Sequence, residues 1–315
     1  MTKVVYVTGC LGFIGFHLTK QCLEKGFYVY GIDKETYASN KSFLRELISY
    51  PKFKYLRTDI NNLERIYDCD YFINTAAETH VDNSIVSSEE FLMSNINGVH
   101  RILELIKAIP KARRPILLHF STDEVYGDIE IGSHVETDLL KPSNPYSATK
   151  AAADMLIKAW ARTYDVPYVI IRPTNNYGVG QYVEKFIPKA VKNLSLGKKI
   201  VMHDNGTPYR TWLHVSDTVS ATLKIIEEGV VNEIFNISGN YCEQNIVVAK
   251  KIIDIFFDGK EEPYKHMDFS EKRPGQDVRY AVNDSKLVSL GWRPRAKFDD
   301  ELKGIVDFYK SNFIW

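Results

Sequence analysis

Short apolar runs rich in β-branched residues alternate with segments of helical spacing through the first half of the chain. A helical pattern begins near residue 13, and two longer ones cover 88–108 and 146–164. The strand-like runs are KVVYVTG, YVYGID, KYLRTDI, YFINTAA, ILLHFST and YVIIRP. Strands that alternate with helices predict an α/β fold with a parallel sheet covered on both faces.

The pattern becomes irregular after about residue 175. Short strand-like runs, KKIVMHD and EIFNIS, alternate with helical patterns near 216–228, 245–257 and 299–311. We expect a smaller C-terminal α/β lobe over 176–315, packed on a first domain over 1–175. No Gly/Ser linker separates the two, so the chain is expected to cross between interwoven lobes.

Composition narrows the function classes. The 315 residues have a formal net charge of zero, which favours neither nucleic acid nor an anionic membrane as partner. No apolar run approaches the length of a membrane span, and MTKVVYVTG begins a strand pattern rather than a signal peptide. Cys10, Cys22, Cys69 and Cys242 are scattered and share no metal-ligand spacing with histidine. We expect a cytoplasmic protein with free thiols and no metal site.

Three glycines lie between the first strand and the first helix. In TGCLGFIG, Gly9, Gly12 and Gly15 are three apart, where a dinucleotide diphosphate approaches the backbone at a helix N-terminus. Asp33 ends the second strand, so its carboxylate can accept hydrogen bonds from ribose hydroxyls and would repel the extra phosphate of NADP. Glycines also serve close helix packing, and Asp33 also suits a turn or a helix cap. The order of the elements favours a Rossmann-type, doubly wound domain that binds NAD.

A tyrosine and a lysine share one face of a predicted helix. Tyr146 and Lys150 are four apart in PYSATKAAADML, after Pro145, which suits a helix start. A nearby ammonium and an oxidised nicotinamide would lower the tyrosine pKa from its usual value near 10 and make it a base. YxxxK also occurs by chance on exposed helices, but here it follows a glycine-rich βαβ unit.

Two adjacent carboxylates follow the strand ILLHF. The run STDEVYG contains Thr122, Asp123 and Glu124. Neighbouring carboxyl groups titrate unequally because like charges raise one pKa, so one can act as acid while the other acts as base. The alternative is a solvated loop after a strand.

The chain resembles the extended short-chain dehydrogenases/reductases, and among them the nucleotide-sugar 4,6-dehydratases that act on dTDP-glucose and UDP-glucose. The resemblance extends over nearly the whole length. It rests on TGCLGFIG, DKETYASN, AAETHVDNSI, STDEVYGD, YSATKAAADML, NNYGVGQYVEKFIP, RTWLHVSD and RPGQDVRY.

The resemblance implies a reaction in three steps, with tightly bound NAD regenerated in each turnover. NAD⁺ takes a hydride from carbon 4 of the hexose while Tyr146 removes the hydroxyl proton and Thr122 hydrogen-bonds the same oxygen. Glu124 then removes the carbon 5 proton, and Asp123 protonates the departing carbon 6 hydroxyl. The hydride returns to carbon 6, with a proton added back at carbon 5. Lys150 holds a cofactor ribose hydroxyl.

The resemblance also implies binding residues. The implied cofactor contacts are Gly9, Gly12, Phe13, Ile14, Gly15, Asp33, Lys34, Thr36, Asp59, Ile60, Ala76, Ala77, Tyr146 and Lys150. The implied substrate contacts are His80, Asn175, Glu184, Lys185, Arg210 and Arg279. Arginine suits a diphosphate because its fork donates two parallel hydrogen bonds.

Some positions depart from the family pattern. Cys10 and Leu11 replace a small pair in the glycine loop, and the segment between Gly127 and Tyr146 is shorter than in bacterial relatives. Tyr241 stands where an asparagine that contacts the substrate is expected, which leaves recognition of the nucleotide base open. Because uracil and thymine differ by one methyl group, worth about 1–3 kcal/mol in a fitted pocket, we expect both UDP-glucose and dTDP-glucose as substrates.

Two other functions stay open. A nucleotide-sugar 4-epimerase or a decarboxylating relative shares the cofactor site, Tyr146 and Lys150, but does not need the Asp123–Glu124 pair. A non-catalytic NAD-binding protein commonly lacks the tyrosine or the lysine. The resemblance also implies a homodimer through helices near 95–108 and 147–163.

Overall fold

The computed structural model describes residues 2–312. Within this range the chain forms twelve strands and eleven helices. The strands are β1 (Val4–Thr8), β2 (Tyr28–Asp33), β3 (Phe53–Arg57), β4 (Tyr71–Asn74), β5 (Ile116–Phe120), β6 (Tyr168–Pro173), β7 (Asn175–Tyr177), β8 (Ile200–Val201), β9 (Tyr209–His214), β10 (Glu233–Ile237), β11 (Tyr241–Gln244) and β12 (Met267–Asp268).

The helices lie between these strands and after them. They are α1 (Phe13–Glu24), α2 (Lys41–Leu47), α3 (Val81–Val86), α4 (Glu89–Phe91), α5 (Gly98–Ala108), α6 (Pro145–Tyr164), α7 (Phe186–Ser195), α8 (Val215–Glu228), α9 (Asn245–Phe256), α10 (Ser285–Ser289) and α11 (Phe298–Ser311). None of the described helices is both long and apolar enough to cross a membrane.

Seven parallel strands form the central sheet in the order β10-β6-β5-β4-β1-β2-β3. All seven strands run in the same direction, but the order in which the chain adds them reverses at β1. From β1 the chain adds β2 and β3 on one side and then β4, β5, β6 and β10 on the other. Buried apolar side chains lie on both faces of the sheet, where the helices pack against it. The predicted α/β, Rossmann-type doubly wound fold is confirmed, and its carboxyl-end crevice at the β1/β4 switch is where such folds bind ligands.

The long helical pattern over 88–108 is not one α-helix. Leu92–Asn97 forms a π-helical stretch between α4 and α5. Periodicity at about 3.6 residues does not reveal the inserted residue of a π turn, because the apolar face resumes after it. The pattern over 146–164 corresponds to α6, which starts one residue earlier.

The C-terminal half contributes to both lobes. Tyr209–His214 pairs with β7 and β11 in a three-stranded sheet, and α7, α9 and α11 pack around a second apolar core. Residues 215–237, however, return to the first lobe, where β10 adds the seventh strand beside β6. A boundary after residue 175 therefore separates two cores but not two continuous stretches of chain.

A buried ion pair joins α6 to β6. The Asp154 carboxylate accepts from Arg172 Nε at 3.0 Å and lies 2.9 Å from Nη2, and both side chains are almost fully buried. Arg172 Nη1 also donates to the Tyr126 hydroxyl at 2.6 Å. Because both charges are desolvated, removal of one leaves the other uncompensated.

We predict that Asp154→Ala lowers the free energy of unfolding by about 3–5 kcal/mol, the cost of an unpaired buried charge. Urea unfolding followed by circular dichroism measures it. Glu227→Ala is the matched control, because Glu227 pairs with Lys25 at 2.8 Å on the surface and should contribute about 0–1 kcal/mol. Equal losses in the two variants would contradict the prediction.

Candidate active site

The glycine loop connects β1 to α1 at the carboxyl edge of the sheet. Gly9 has φ +67°, and a Cβ there would lie 2.9 Å from the Ala76 backbone. A Cβ on Gly15 would lie 2.1 Å from the Gly9 carbonyl oxygen. The first glycine thus permits a left-handed turn beside β4, and the last lets α1 approach the loop.

The Asp33 carboxylate holds this loop in place. One oxygen accepts from the Leu11 N–H at 3.0 Å, and the other accepts from the Glu35 N–H and the Ser39 hydroxyl, each at 2.8 Å. Asp33 lines an open cleft of about 620 Å³ at the β1/β4 switch. Most of the predicted cofactor contacts share this cleft: Gly9, Gly12, Asp33, Lys34, Thr36, Asp59, Ile60, Ala76 and Ala77. Phe13 and Ile14 form the first turn of α1, whose N–H groups have no acceptor within the helix.

The predicted acid–base residues lie in a tight turn after β5. Thr122 caps the 3₁₀ turn Asp123–Tyr126, and its hydroxyl accepts from the Glu124 N–H at 3.3 Å. Asp123 is buried, and its Oδ2 has no hydrogen-bond partner among residues 2–312. Glu124 lies at the wall of a second cleft, where its carboxylate accepts from Asn144 Nδ2 at 3.4 Å and from the Tyr280 hydroxyl at 3.3 Å.

Burial raises the pKa of both carboxyl groups above their ordinary values. It raises the pKa of Asp123 to about 8, with a further rise from Glu124, while Arg210 opposes the shift. Burial also raises the pKa of Glu124, and Asp277 adds to the rise, against the opposing effects of Arg210 and Asn144. A protonated Asp123 beside an ionisable Glu124 is the arrangement that an acid and a base in one site require.

Tyr146 and Lys150 are both buried on α6. Burial lowers the pKa of Lys150 to about 8, and its Nζ donates to the Phe120 carbonyl at 2.5 Å. Burial raises the pKa of Tyr146, and Glu124 and Asp123 raise it further, against hydrogen bonding with Thr122. In the protein without cofactor the pKa of Tyr146 is thus raised, chiefly by burial, and the lowering expected from Lys150 together with an oxidised nicotinamide stays a prediction.

The second cleft, of about 1160 Å³, lies between the two lobes. Its lining includes five of the six predicted substrate contacts: His80, Asn175, Glu184, Lys185 and Arg210. Lys185 Nζ donates to the Thr79 carbonyl at 2.8 Å. Asn175 Oδ1 is buried and has no hydrogen-bond partner in the part of the chain that the structure describes. The cleft reaches Glu124, so a ligand bound there can contact this carboxylate, with Asp123 buried next to it in sequence.

Arg279, the sixth predicted substrate contact, is not among the described residues that line the cleft. Its Nη1 donates to the carbonyl oxygens of Ile129 at 3.2 Å and Gly132 at 3.0 Å. The guanidinium thus bonds a surface loop beside the cleft. Arg273, in the same RPGQDVRY run, lines the cleft and pairs with Asp82, with 2.6 Å between Nε and Oδ1.

Several cleft residues were not singled out from the sequence. They are Asp82, Asn144, Lys189, Asn193, His203, Asn245, Arg273, Asp277 and Tyr280. Arg273, Asp277 and Tyr280 lie within motifs that the resemblance quotes, so the motif located them without indicating which side chains face the cleft. Asn144 has a local signal, because an asparagine before Pro145 is a typical helix cap, and it caps α6.

The comparison with known proteins decides the family. A model described as GDP-mannose 4,6 dehydratase matches residues 6–305. The chain belongs to this family. A family relative, the dTDP-glucose 4,6-dehydratase of Haemophilus influenzae, is 37% identical and covers 98% of each chain.

Solved structures resemble the whole chain. The dTDP-glucose 4,6-dehydratase of Streptomyces venezuelae, solved with NAD and dTDP bound, is 32% identical, with a TM-score of 0.89 over 98% of this chain and 97% of that one. A UDP-glucuronic acid 4-epimerase of Bacillus cereus, solved with UDP-glucuronic acid and NAD, is 25% identical, with a TM-score of 0.90 over 98% and 99%.

Tyr241, the departure from the family pattern, packs in the second core. Its ring stacks on Phe298 with centroids 4.2 Å apart, and its backbone pairs with Trp212. Asn245, at the start of α9, lines the cleft instead.

We predict that Glu124→Gln lowers the pKa of Asp123 from about 8, because one of the two causes of its rise is removed. The pKa should stay above 3.8, since burial remains. Carbon-13 NMR of labelled aspartate side chains, titrated with pH, measures it. Asp277→Asn is the control, because Asp277 shifts Glu124 but not Asp123. An Asp123 that titrates near 3.8 in the unsubstituted protein contradicts the assignment.

Proposed function

We propose that this protein is an NAD-dependent nucleotide-sugar 4,6-dehydratase. It removes water from UDP-glucose or dTDP-glucose and forms the 4-keto-6-deoxyglucose nucleotide. One feature favours this function above its alternatives: Asp123, whose pKa burial raises to about 8, is adjacent to Glu124, which lines the interlobe cleft. Relatives that are named dTDP-glucose 4,6-dehydratases match nearly the whole chain.

The first cleft fits NAD. Gly9 leaves room beside Ala76 that a Cβ would fill, and Asp33 offers acceptor oxygens only. Its carboxylate already accepts three hydrogen bonds, which leaves capacity for a ribose hydroxyl. When bound, NAD would accept a hydride from the sugar and return it.

The chain's own residues supply the proton transfers. Tyr146, as a phenolate that the Lys150 ammonium and a bound NAD⁺ would stabilise, takes the proton of the carbon 4 hydroxyl. Thr122, which hydrogen-bonds the phenol, orients it. Glu124 takes the carbon 5 proton. Asp123, whose pKa of about 8 keeps it protonated at neutral pH, gives its proton to the departing hydroxyl, which leaves as water. The step that would return the hydride to carbon 6 also adds a proton back at carbon 5. Lys150 lies behind Tyr146 on α6, where its ammonium offers a positive charge and a donor for the cofactor ribose.

The cations of the second cleft suit a nucleoside diphosphate. Arg210, Arg273 and Lys189 line it, and we assign the diphosphate to them. His80, Asn175, Glu184 and Lys185 lie closer to Thr79 and Glu124 and are proposed sugar contacts. The base is expected toward Asn245. A thymine methyl contributes about 1–3 kcal/mol even in a fitted pocket, so both uracil and thymine nucleotides are proposed substrates.

The alternatives explain less of the site. An epimerase or a decarboxylase would use Tyr146 and Lys150, but it leaves the buried Asp123 acid without a task. The cost of burying two carboxyl groups favours a reaction that uses both. A non-catalytic NAD-binding protein would not need either of them.

We also propose a cytoplasmic homodimer. The four cysteines are free thiols, which suits a reducing compartment. α5 and α6 pack side by side, and α6 exposes Ala148, Met155 and Ala159 on one face. Small residues with one large apolar side chain allow a second pair of helices to approach closely.

The test is incubation of purified protein with dTDP-glucose or UDP-glucose without added NAD, followed by mass spectrometry. We predict a product lighter by one water, with 4-keto absorbance in alkali. Glu124→Gln should lower kcat by about 10²–10⁴-fold, because a positioned base is lost. Glu227→Gln, on the exposed face of α8, is the matched control and should retain activity.

Two outcomes would overturn the proposal. A product of unchanged mass with inverted configuration at carbon 4 would identify an epimerase. No product from either sugar nucleotide, even with NAD supplied, would leave a protein that only binds.

We further predict that NADH binds the cofactor-depleted protein at least about tenfold more tightly than NADPH, or about 1.4 kcal/mol. The reason is repulsion between the Asp33 carboxylate and the ribose phosphate of NADPH. No arginine is among the described residues that line this cleft. Titration of nicotinamide fluorescence measures both constants under the same salt. Equal or tighter binding of NADPH would refute the assignment.

A further inference from the structure

Arg279 joins two segments beside the cleft, which we call the loop (128–134) and the return segment (277–283). Its Nη1 donates to Ile129 O at 3.2 Å, Glu130 O at 3.4 Å and Gly132 O at 3.0 Å. Its backbone N–H donates to Asp128 Oδ1 at 3.1 Å, and its carbonyl accepts from the Ile129 N–H at 3.2 Å. The loop therefore folds around this one side chain.

The two segments are also hydrogen-bonded further along. The His134 N–H donates to Ala281 O at 2.9 Å, and the Asn283 N–H donates to His134 O at 2.8 Å. Arg279 and His134 thus fix the return segment at two places. Among the described residues no carboxylate lies within ion-pair distance of the Arg279 guanidinium, and its hydrogen-bond partners are backbone carbonyl oxygens.

The residue next to Arg279 touches the proposed base. The Tyr280 hydroxyl donates to Glu124 Oε2 at 3.3 Å and also hydrogen-bonds Asp277. Its ring lies under the Arg210 guanidinium, 4.5 Å from the centroid, and only 4% of the residue is exposed. A backbone shift at 279 therefore moves a side chain that contacts Glu124.

We propose that Arg279 is a positioning residue for Glu124, acting through Tyr280, and not a ligand of the substrate diphosphate. The inference rests on the proposed function, in which Glu124 takes the carbon 5 proton. The guanidinium fork suits the task because one planar group can donate to several carbonyl oxygens of a turn. A diphosphate would have to compete with those carbonyls for it, whereas Arg273 and Arg210 already line the cleft.

The first experiment compares Arg279→Gln with Arg273→Gln, in the enzyme with its own cofactor. Arg279→Gln should lower kcat roughly 10–100-fold, the usual result of displacing a reacting group by about 1 Å. The inhibition constants of UDP and dTDP should change less than about twofold. Arg273→Gln, the control in the cleft, should weaken both inhibitors about tenfold or more, because a charge-assisted hydrogen bond is lost.

A double-mutant cycle separates positioning from a general loss of structure. In the Tyr280→Phe background, which lacks the hydroxyl bonded to Glu124, Arg279→Gln should change kcat less than about twofold. Arg279→Lys should recover part of the activity, because an ammonium can donate to the same carbonyls, and it also serves if the glutamine variant does not fold. Losses that multiply in the double variant would overturn the inference. So would weaker UDP and dTDP inhibition with unchanged kcat.

Amide hydrogen exchange tests the inference without relying on enzyme activity. If the unsubstituted protein converts neither sugar nucleotide, the proposed function fails, and exchange in Arg279→Gln decides this inference alone. Faster exchange in both 128–134 and 123–126 supports it. Unchanged exchange in 123–126 overturns it. Active unsubstituted enzyme with a normal kcat in Arg279→Gln overturns only the positioning role.

Discussion

The site depends on two adjacent carboxyl groups that are shielded from bulk water and must still be able to exchange protons. Burying an isolated carboxylate is costly, so such a group takes up a proton instead, and Asp123 does so. Burial raises the pKa of Glu124 as well, but Arg210 and Asn144 oppose that rise. The groups around the Glu124 carboxylate come from three places in the chain: Asn144 caps α6, Tyr280 lies in the return segment, and Arg210 lies in β9.

That requirement explains why the lobes are interwoven. The carboxyl pair follows β5 of the large sheet, whereas Tyr280 and Arg210 belong to the second lobe. β10 and α8 return to the first lobe between them in sequence and fix the second lobe against the sheet. The chain passes more than once between the two lobes that form the cleft. The packing of both cores therefore sets the relative position of the cleft walls.

Local features of the site were predictable and non-local ones were not. The glycine loop, Asp33 and the Tyr146–Lys150 spacing each depend on one turn or one helix, so residue type and spacing suffice. Arg273 and Arg279 are two arginines of one irregular segment, and only tertiary contacts decide which one faces the cleft. The place of β10 beside β6 depends on strand pairing across about 60 residues of chain, which periodicity does not encode.

The buried pair behind the active site shows how rigidity is obtained. Lys150 and Asp154 are one helical turn apart on α6, and Arg172 fixes Asp154 to β6. The ion pair therefore fixes the position of α6 relative to the strands of the sheet. At that position Lys150 reaches the Phe120 carbonyl at the end of β5. A buried pair is weak support for stability in general, because desolvation offsets much of its attraction. Its value here lies in a single allowed register: a slip of α6 would leave Arg172 unpaired, so the helix that bears Tyr146 has one position relative to the carboxyl pair.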